Sequence, residues 1–276
     1  MPATLNHNVN LQHINRNMQI HFGNTGTQIE KASSGMRINR SSDDPASLAL
    51  ANGIHSDIYA MAEGSRNVQQ SIQMLQVAEG ALSQITETIQ RMGSLATQSA
   101  SSTYSDANRP GVNAEFQALK NEIDRIAEFT TYNGMHLLDS VDEYTIQAGA
   151  SEASNDVLRI AIGDMRAMGP ELNLDPVTAD TLENSQDAID RLEMARLNLT
   201  SKRNHIAALH NRLELSVETA ASITASMLAT ESNVRSADFA QTLSSLTNSQ
   251  IMMQTAGSLA YEADIDVDRI LSLLQQ

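Results

Sequence analysis

The chain has 276 residues, with no cysteine, no tryptophan, 3% aromatic and 41% hydrophobic residues, and a formal net charge of −15 at pH 7. Without cysteine there is no disulfide framework, thiol nucleophile or Cys-ligated metal, and the acidic balance excludes the basic stripe that nucleic acid or an anionic membrane surface requires. With so few aromatics, burial falls to Leu, Ile, Met, Val and Ala, which suits thin helix–helix seams better than an enzyme pocket.

The charge is uneven. Residues 111–190 hold 16 acids and 4 bases, whereas 1–44 hold 3 acids and 4 bases. The middle reads as a solvated, self-repelling surface and the N-terminal arm as near neutral. No apolar run approaches the roughly 18 residues of a membrane span. The opening MPATLNHNVNLQHINRNM has polar residues where a secretory signal needs an apolar core, so these residues alone suggest a cytoplasmic protein.

At the N-terminus, Leu11, Ile14, Met18, Phe22, Ile29 and Ala32 form a thin helical stripe interrupted by Gly23 and Gly26. Helices with thin seams are marginal alone in water, so this arm is expected to be loosely ordered until it finds a partner. Arg37, Arg40, Asp43 and Asp44 follow as the densest charged cluster, read as capping and interface charge rather than catalysis.

Asp44-Pro45 is a helix start: a good N-cap followed by a good first helical residue. Downstream, Ile54, Met61, Val68, Leu75, Leu82, Ile89 and Ala96 recur every seven residues, accompanied by Ile58, Ile72, Ala78, Ile85 and Met92. This heptad seam predicts one helix over 47–101, roughly 80 Å long at 1.5 Å per residue. The run 99–105 reads as a break. Pro110 starts a second helix with Phe116, Leu119, Ile123 and Ile126 inward, ending at Asn133-Gly134.

The period changes at 143–163, where Tyr144, Ile146 and Ala148, then Leu158, Ile160 and Ile162, alternate around a polar loop; this predicts a β-hairpin. Residues 164–178, with Pro170 and Pro176, read as a linker. A second heptad seam follows at Leu192, Leu199, Ile206, Leu213, Ala220 and Met227, with Ala195, Leu209 and Ile223 as companions. It predicts a helix over 179–232, antiparallel to the first. Phe239, Leu243, Leu246, Met253 and Ala260 give a last, weak stripe.

Motifs of catalysis and metal binding are absent from the sequence. There is no phosphate-binding loop and no HExxH. The seven histidines include His205 and His210, five apart on a helix and so on different faces. Asp264, Asp266 and Asp268 resemble the start of a calcium loop, but Arg269 stands where Gly is required and Gln275 where Glu is required. No cofactor and no metal is expected.

The expected fold is therefore mainly α: a long antiparallel helical rod or coiled-coil bundle with one small β-hairpin, and terminal helices that pair. The domains divide as 1–33 with 236–276 (terminal), 34–46 and 233–235 (connectors), and 47–163 with 179–232 (rod).

Ile29-Glu-Lys-Ala-Ser-Ser-Gly-Met-Arg-Ile-Asn39 with Asp43-Asp44 resembles the N-terminal signature of bacterial flagellins. Arg66-Asn67, Ala78-Glu-Gly-Ala-Leu82, Glu122-Ile-Asp-Arg-Ile126 and Tyr132-Asn-Gly134 extend the resemblance. Asp238-Phe-Ala240, Ser249-Gln-Ile251, Gln254-Thr-Ala-Gly257 and Leu271-Ser-Leu-Leu274 carry it to the C-terminus. The resemblance implies a self-assembling subunit of the extracellular flagellar filament, exported without a cleaved signal, which replaces the cytoplasmic reading. The terminal helices would pair as a coiled coil lining the filament, through Leu11, Ile14, Met18, Phe22, Ile29, Phe239, Leu243, Leu246, Met253, Leu271 and Leu274.

It further implies that further copies of the chain, a flagellin chaperone, the export apparatus, the filament cap and hook–filament junction proteins are its partners, and that neither nucleic acid nor membrane is. Residues 164–178 stand where many flagellins insert large outer domains. Arg91, Leu95 and Glu115 match positions of an immune-receptor patch in some flagellins. A hook–filament junction protein shares the terminal plan and is the nearest alternative; a coiled-coil adaptor is more distant.

Overall fold

The computed structural model of the chain describes residues 9–149 and 156–274; the side chains of Asn10 and of 264–274 lie outside the described set. The elements in order are α1 (Val9–Ser34), α2 (Pro45–Ser99), α3 (Arg109–Phe129), β1 (Thr131–Tyr132), β2 (Met135–His136), β3 (Glu143–Gln147), β4 (Val157–Ala161), α4 (Leu182–Arg235) and α5 (Phe239–Leu274). They form two compact units, Met1–Ser56 with Ser226–Gln276, and Asp57–Ala225.

The unit Asp57–Ala225 holds the main core. From α2 it takes Val68, Leu75, Leu82, Ile89 and Ala96; from α4, Leu192, Leu199, Ile206 and Leu213. Both sets are heptad positions, and cross-links confirm that the helices run antiparallel. Arg203 Nη2 donates to Glu79 Oε1 at 2.7 Å, and Ser99 Oγ donates to Ala179 O at 2.8 Å. Met61 is only half-buried and Ile223 is exposed, so the seam is covered most fully in its middle, where α3 adds Phe116, Ile123, Ile126 and Ala127.

The predicted hairpin is β3–β4, in register from Glu143↔Ala161 to Gln147↔Val157. Alternation places Tyr144, Ile146, Leu158 and Ile160 on one face, and the last three are buried. The polar loop expected between the two strands falls mostly on residues 150–155, outside the described set. A second hairpin, β1–β2, stands where the sequence reading had only a helix end. Asn133 (φ 50) and Gly134 (φ 77) make its two-residue turn, the left-handed pair that such turns require.

Residues 164–178 are not a linker. Met165, Ala167, Leu172, Leu174 and Val177 are all buried. The segment has no regular ladder, so its backbone groups need other partners. A stripe on α3 provides them. Asn113 Oδ1 accepts from Ala179 N (3.0 Å), Gln117 Nε2 donates to Val177 O (3.2 Å), Lys120 Nζ donates to Asp175 O (2.8 Å) and Asp124 Oδ1 accepts from Ala167 N (2.7 Å). Spacing of three and four residues sets all four on one helix face. Arg166 beside it holds the Asp164 carboxyl below its ordinary range.

The break after α2 is also organised. Arg109 is buried, its Nε donating to Asp106 Oδ1 (3.2 Å) and its Nη2 to the carbonyls of Ser101 (3.3 Å) and Tyr104 (3.1 Å).

Gly64 gives this packing a test. A Cβ built there would lie 2.3 Å from Ala148 O, at the end of β3, whereas one at Gly80 meets nothing within 4 Å. Gly80→Ala is expected to stabilise the protein by up to about 1 kcal/mol, the helix-propensity gain. Gly64→Ala should instead destabilise it by about 1–3 kcal/mol, because the hairpin must shift. Chemical denaturation followed by circular dichroism reads both; equal signs would show that the hairpin end is not pinned on α2.

Candidate functional site

The unit Met1–Ser56 with Ser226–Gln276 is built on the pair α1 and α5, which pack side by side. Both ends are thus helical within a single chain, where the thin stripes suggested loose order; each supplies the other with the partner it lacks.

The seam between them differs from the expected stripe. Along α1 the sheltered positions are Leu11, Ile14, Met18, His21, Thr25, Gln28 and Ala32, an unbroken three–four alternation. Along α5 they are Thr242, Leu246, Ser249, Met253, Ala256, Ala260 and Ala263. Much of this seam is small or polar. Its threonine hydroxyls are satisfied within their own helices, Thr25 donating to His21 O (2.8 Å) and Thr242 to Asp238 O (2.7 Å).

Bulk apolar side chains sit outside the seam. Phe22 is 69% exposed, Phe239 60%, Ile29 50% and Leu243 48%, with Ile251, Met252 and Leu259 also exposed. So the structure brings Leu11, Ile14, Met18, Leu246 and Met253 into the pair, and leaves Phe22, Ile29, Phe239 and Leu243 facing outward. The side chains of Leu271 and Leu274, like the Asp264–Asp268 run, lie outside the described residues. A strict three–four count from Leu11, carried through the polar positions, would have found the true seam.

The expected connectors are ordered structure. Gly35 (φ 68) ends α1 in the left-handed conformation that favours glycine. Met36 bridges Ser236, Arg37 N donates to Arg235 O (2.6 Å), Ala237 N to Gly35 O (2.9 Å) and Arg37 Nη2 to Val234 O (2.9 Å). Residues 233–235 belong to α4, and the break falls at 236–238, where Asp238 Oδ1 accepts from Gln241 N (3.1 Å) and caps α5. The first turns of α2 and the last of α4 also belong to this unit. His55 Nδ1 lies 3.2 Å from Glu231 Oε1 there; in the same unit Ile38 and Ala51 are buried, while Ile54 and Met227 are half-buried.

The charged cluster caps. Asp43 Oδ2 accepts from the backbone N–H of Asn39 and Arg40, both at 3.1 Å, and Asp44 Oδ1 from Ser47 N at 3.1 Å. These bonds hold both carboxyls below their ordinary range, Asp43 chiefly through Arg40 N–H and Asp44 chiefly through Ser47. Arg40 pairs with Glu30 at 2.9 Å.

In the other unit, Arg91 bonds Glu115 at 2.6 Å and Leu95 is buried. Among the described residues no group of three or more His, Asp or Glu could hold a metal ion, and no helix is long and apolar enough to cross a membrane.

Comparison with known proteins gives a consistent answer. The bacterial flagellin N-terminal helical region matches residues 5–143. A flagellin of Halalkalibacterium halodurans is 33% identical over 86% of this chain and 87% of its own length. A flagellar filament 31.3 kDa core protein of Treponema maltophilum is 30% identical over 98% and 99%. Among solved structures, a candidate flagellar hook-associated protein from Vibrio parahaemolyticus superposes with a TM-score of 0.59 over 70% of this chain and all of its own, at 15% identity, a likeness of fold alone.

Proposed function

The chain belongs to the bacterial flagellin family and is a structural subunit of the extracellular flagellar filament used for swimming, and from that premise we propose a division of labour between its two units. The α1–α5 pair drives polymerisation, and Asp57–Ala225 is the folded body that neighbouring copies hold in place. The observation that carries this is the arrangement on α1 and α5: much of the seam is small or polar, while Phe22, Ile29, Phe239 and Leu243 face outward. Exposed large apolar side chains concentrated on one element mark an interaction surface, and in a homopolymer the covering partner is another copy.

The terminal coiled-coil residues Leu11, Ile14, Met18, Leu246 and Met253 join the two ends of one chain, and the outward set joins chains. Export without a cleaved signal, through the flagellum's own channel, fits a chain with no cysteine to trap. A chaperone covering the outward apolar set before export, a filament cap and hook–filament junction proteins complete the partners we infer from family membership. No catalytic role is assigned.

Purified protein, dissociated by heat and returned to neutral pH with ammonium sulfate and filament seeds, is expected to regrow micrometre filaments in electron micrographs. Failure to elongate on seeds under every such condition would overturn the polymerisation reading and favour the junction-protein alternative.

A further inference from the structure

The basic side chains of the unit Asp57–Ala225 are almost all paired, although several of its carboxylates are not. Eleven of its twelve Arg and Lys side chains lie within 4.0 Å of a carboxylate oxygen. Arg212, on α4, is the exception among the described residues, and it is exposed. It stands on a groove of about 320 Å³ whose walls include Met61, Leu158, Leu215 and Ile223, with Asp156 also on the rim. Leu215 is 62% exposed. The groove is thus a largely apolar slot with one guanidinium that has no ion-pair partner among the described residues.

A complementary feature lies elsewhere on the same unit. Phe129 is 74% exposed, the most exposed large apolar side chain among the described residues. It ends α3 and is firmly placed: Thr130 N donates to Ile126 O (3.1 Å), and His136 Nδ1 lies 2.9 Å from Glu128 O. Glu128, beside it, is exposed and its carboxylate forms no ion pair.

We propose that the Glu128–Phe129 corner of one copy docks in the Arg212 groove of the next, the ring filling the apolar slot and the Glu128 carboxylate pairing with the Arg212 guanidinium. The inference rests on the filament reading and adds a specific contact to it. A rigid aromatic anchor entering an apolar slot is the usual core of a protein interface, and an Arg at the rim also favours the ring face. Glu128 brings a negative charge to Arg212, so the contact gives the guanidinium an ion-pair partner as the slot is covered. The two surfaces are different, so the contact is head-to-tail. Such contacts propagate as open helical arrays when the rotation does not close.

The test uses the full chain, which has no cysteine of its own. Phe129→Cys and Leu215→Cys are made as separate proteins, polymerised singly and mixed, and oxidised with copper–phenanthroline in air. The expected result is a covalent dimer in the mixed filaments only. Filaments that form but give no mixed dimer overturn the contact and leave the filament reading standing. A dimer from Val141→Cys with Leu215→Cys in place of the Phe129 pair overturns it equally, by naming a different knob. A parent chain that never polymerises removes both readings. Charge reversal is the second arm: Arg212→Glu is expected to raise the critical concentration at least about tenfold, and Glu128→Arg in the same chain to restore it. An Arg212→Glu protein with the parent's helical content and critical concentration overturns the proposal.

Discussion

A chain lacking residues 236–276 is expected to grow no filaments, while Asp57–Ala225 keeps its helical signal and its cooperative unfolding transition. The deletion removes α5 (Phe239–Leu274) and with it the partner of α1. What remains of α1 is a 26-residue helix whose seam is mostly half-buried Leu11, Ile14 and Met18, then polar His21 and Thr25. Isolated helices of this kind are marginal in water, so α1 should unwind and its outward residues lose their fixed geometry. The core at 57–225 draws on neither helix. Circular dichroism and seeded growth assayed by sedimentation measure the two halves of the prediction separately. Filament growth by the truncated chain would refute the role given to the pair.

Leu75→Asp is expected to act in the opposite place, unfolding Asp57–Ala225 itself. Leu75 is fully buried in the α2 seam, packed within a cluster that includes Leu82, Phe116 and Ile206. The substitution removes a side chain worth roughly 2–5 kcal/mol by truncation alone. It also puts a carboxylate where nothing can solvate it. Together these place it in the exceptional range above about 4–5 kcal/mol, comparable to the whole stability of an ordinary domain, about 5–15 kcal/mol. Urea unfolding monitored at 222 nm should show no native baseline, or an unfolding free energy lowered by several kcal/mol. Val77→Asp, on the exposed face of the same helix, is the control and should change stability by no more than about 0.5 kcal/mol. A Leu75→Asp protein that unfolds like that control would mean the heptad seam is not what holds the unit together.

The two long helices were legible because their chemistry repeats. Leu, Ile and Val at seven-residue spacing carry both the period and the burial, and Asp44-Pro45 marks a start that the Ser47 bond makes visible in the structure. The docked segment 164–178 was not legible, because its buried side chains follow no period and its anchors lie about 50 residues earlier, on α3. Asn113, Gln117, Lys120 and Asp124 looked like an ordinary solvated helix face. The turn at Asn133-Gly134 was read as a helix end although Asn-Gly is the strongest short hairpin signal; the flanking strands, two residues each, were too short to show alternation.

At the ends, bulk misled. The reading followed Phe22 and Phe239, the largest apolar residues, whereas the register follows Thr25, Thr242 and Ala256. Hydrophobicity identifies a surface that wants covering, but not which neighbour covers it. The charge pairing that isolates Arg212 was only partly legible: pairs such as Arg125–Glu122 and Arg191–Asp187 follow from helical spacing, whereas Arg91–Glu115, Lys120–Asp175, Lys202–Glu171 and Arg203–Glu79 are set by contact between distant segments.

The unit formed by Met1–Ser56 and Ser226–Gln276 has a consequence for the order of events in folding. Its two halves are separated by the whole of Asp57–Ala225. Closing a flexible loop of that length costs about 4–5 kcal/mol in chain entropy, and contacts so distant in sequence form slowly. Folding of the intervening unit first brings the flanking segments within reach and removes most of that cost. Even so, α5 leaves any machine that handles the chain from its N-terminus only after α1 to α4 have passed. The paired ends therefore form only after α5 has been delivered, and a chain delivered only through α4 has no finished surface for joining a polymer. Connectivity itself thus disfavours premature assembly.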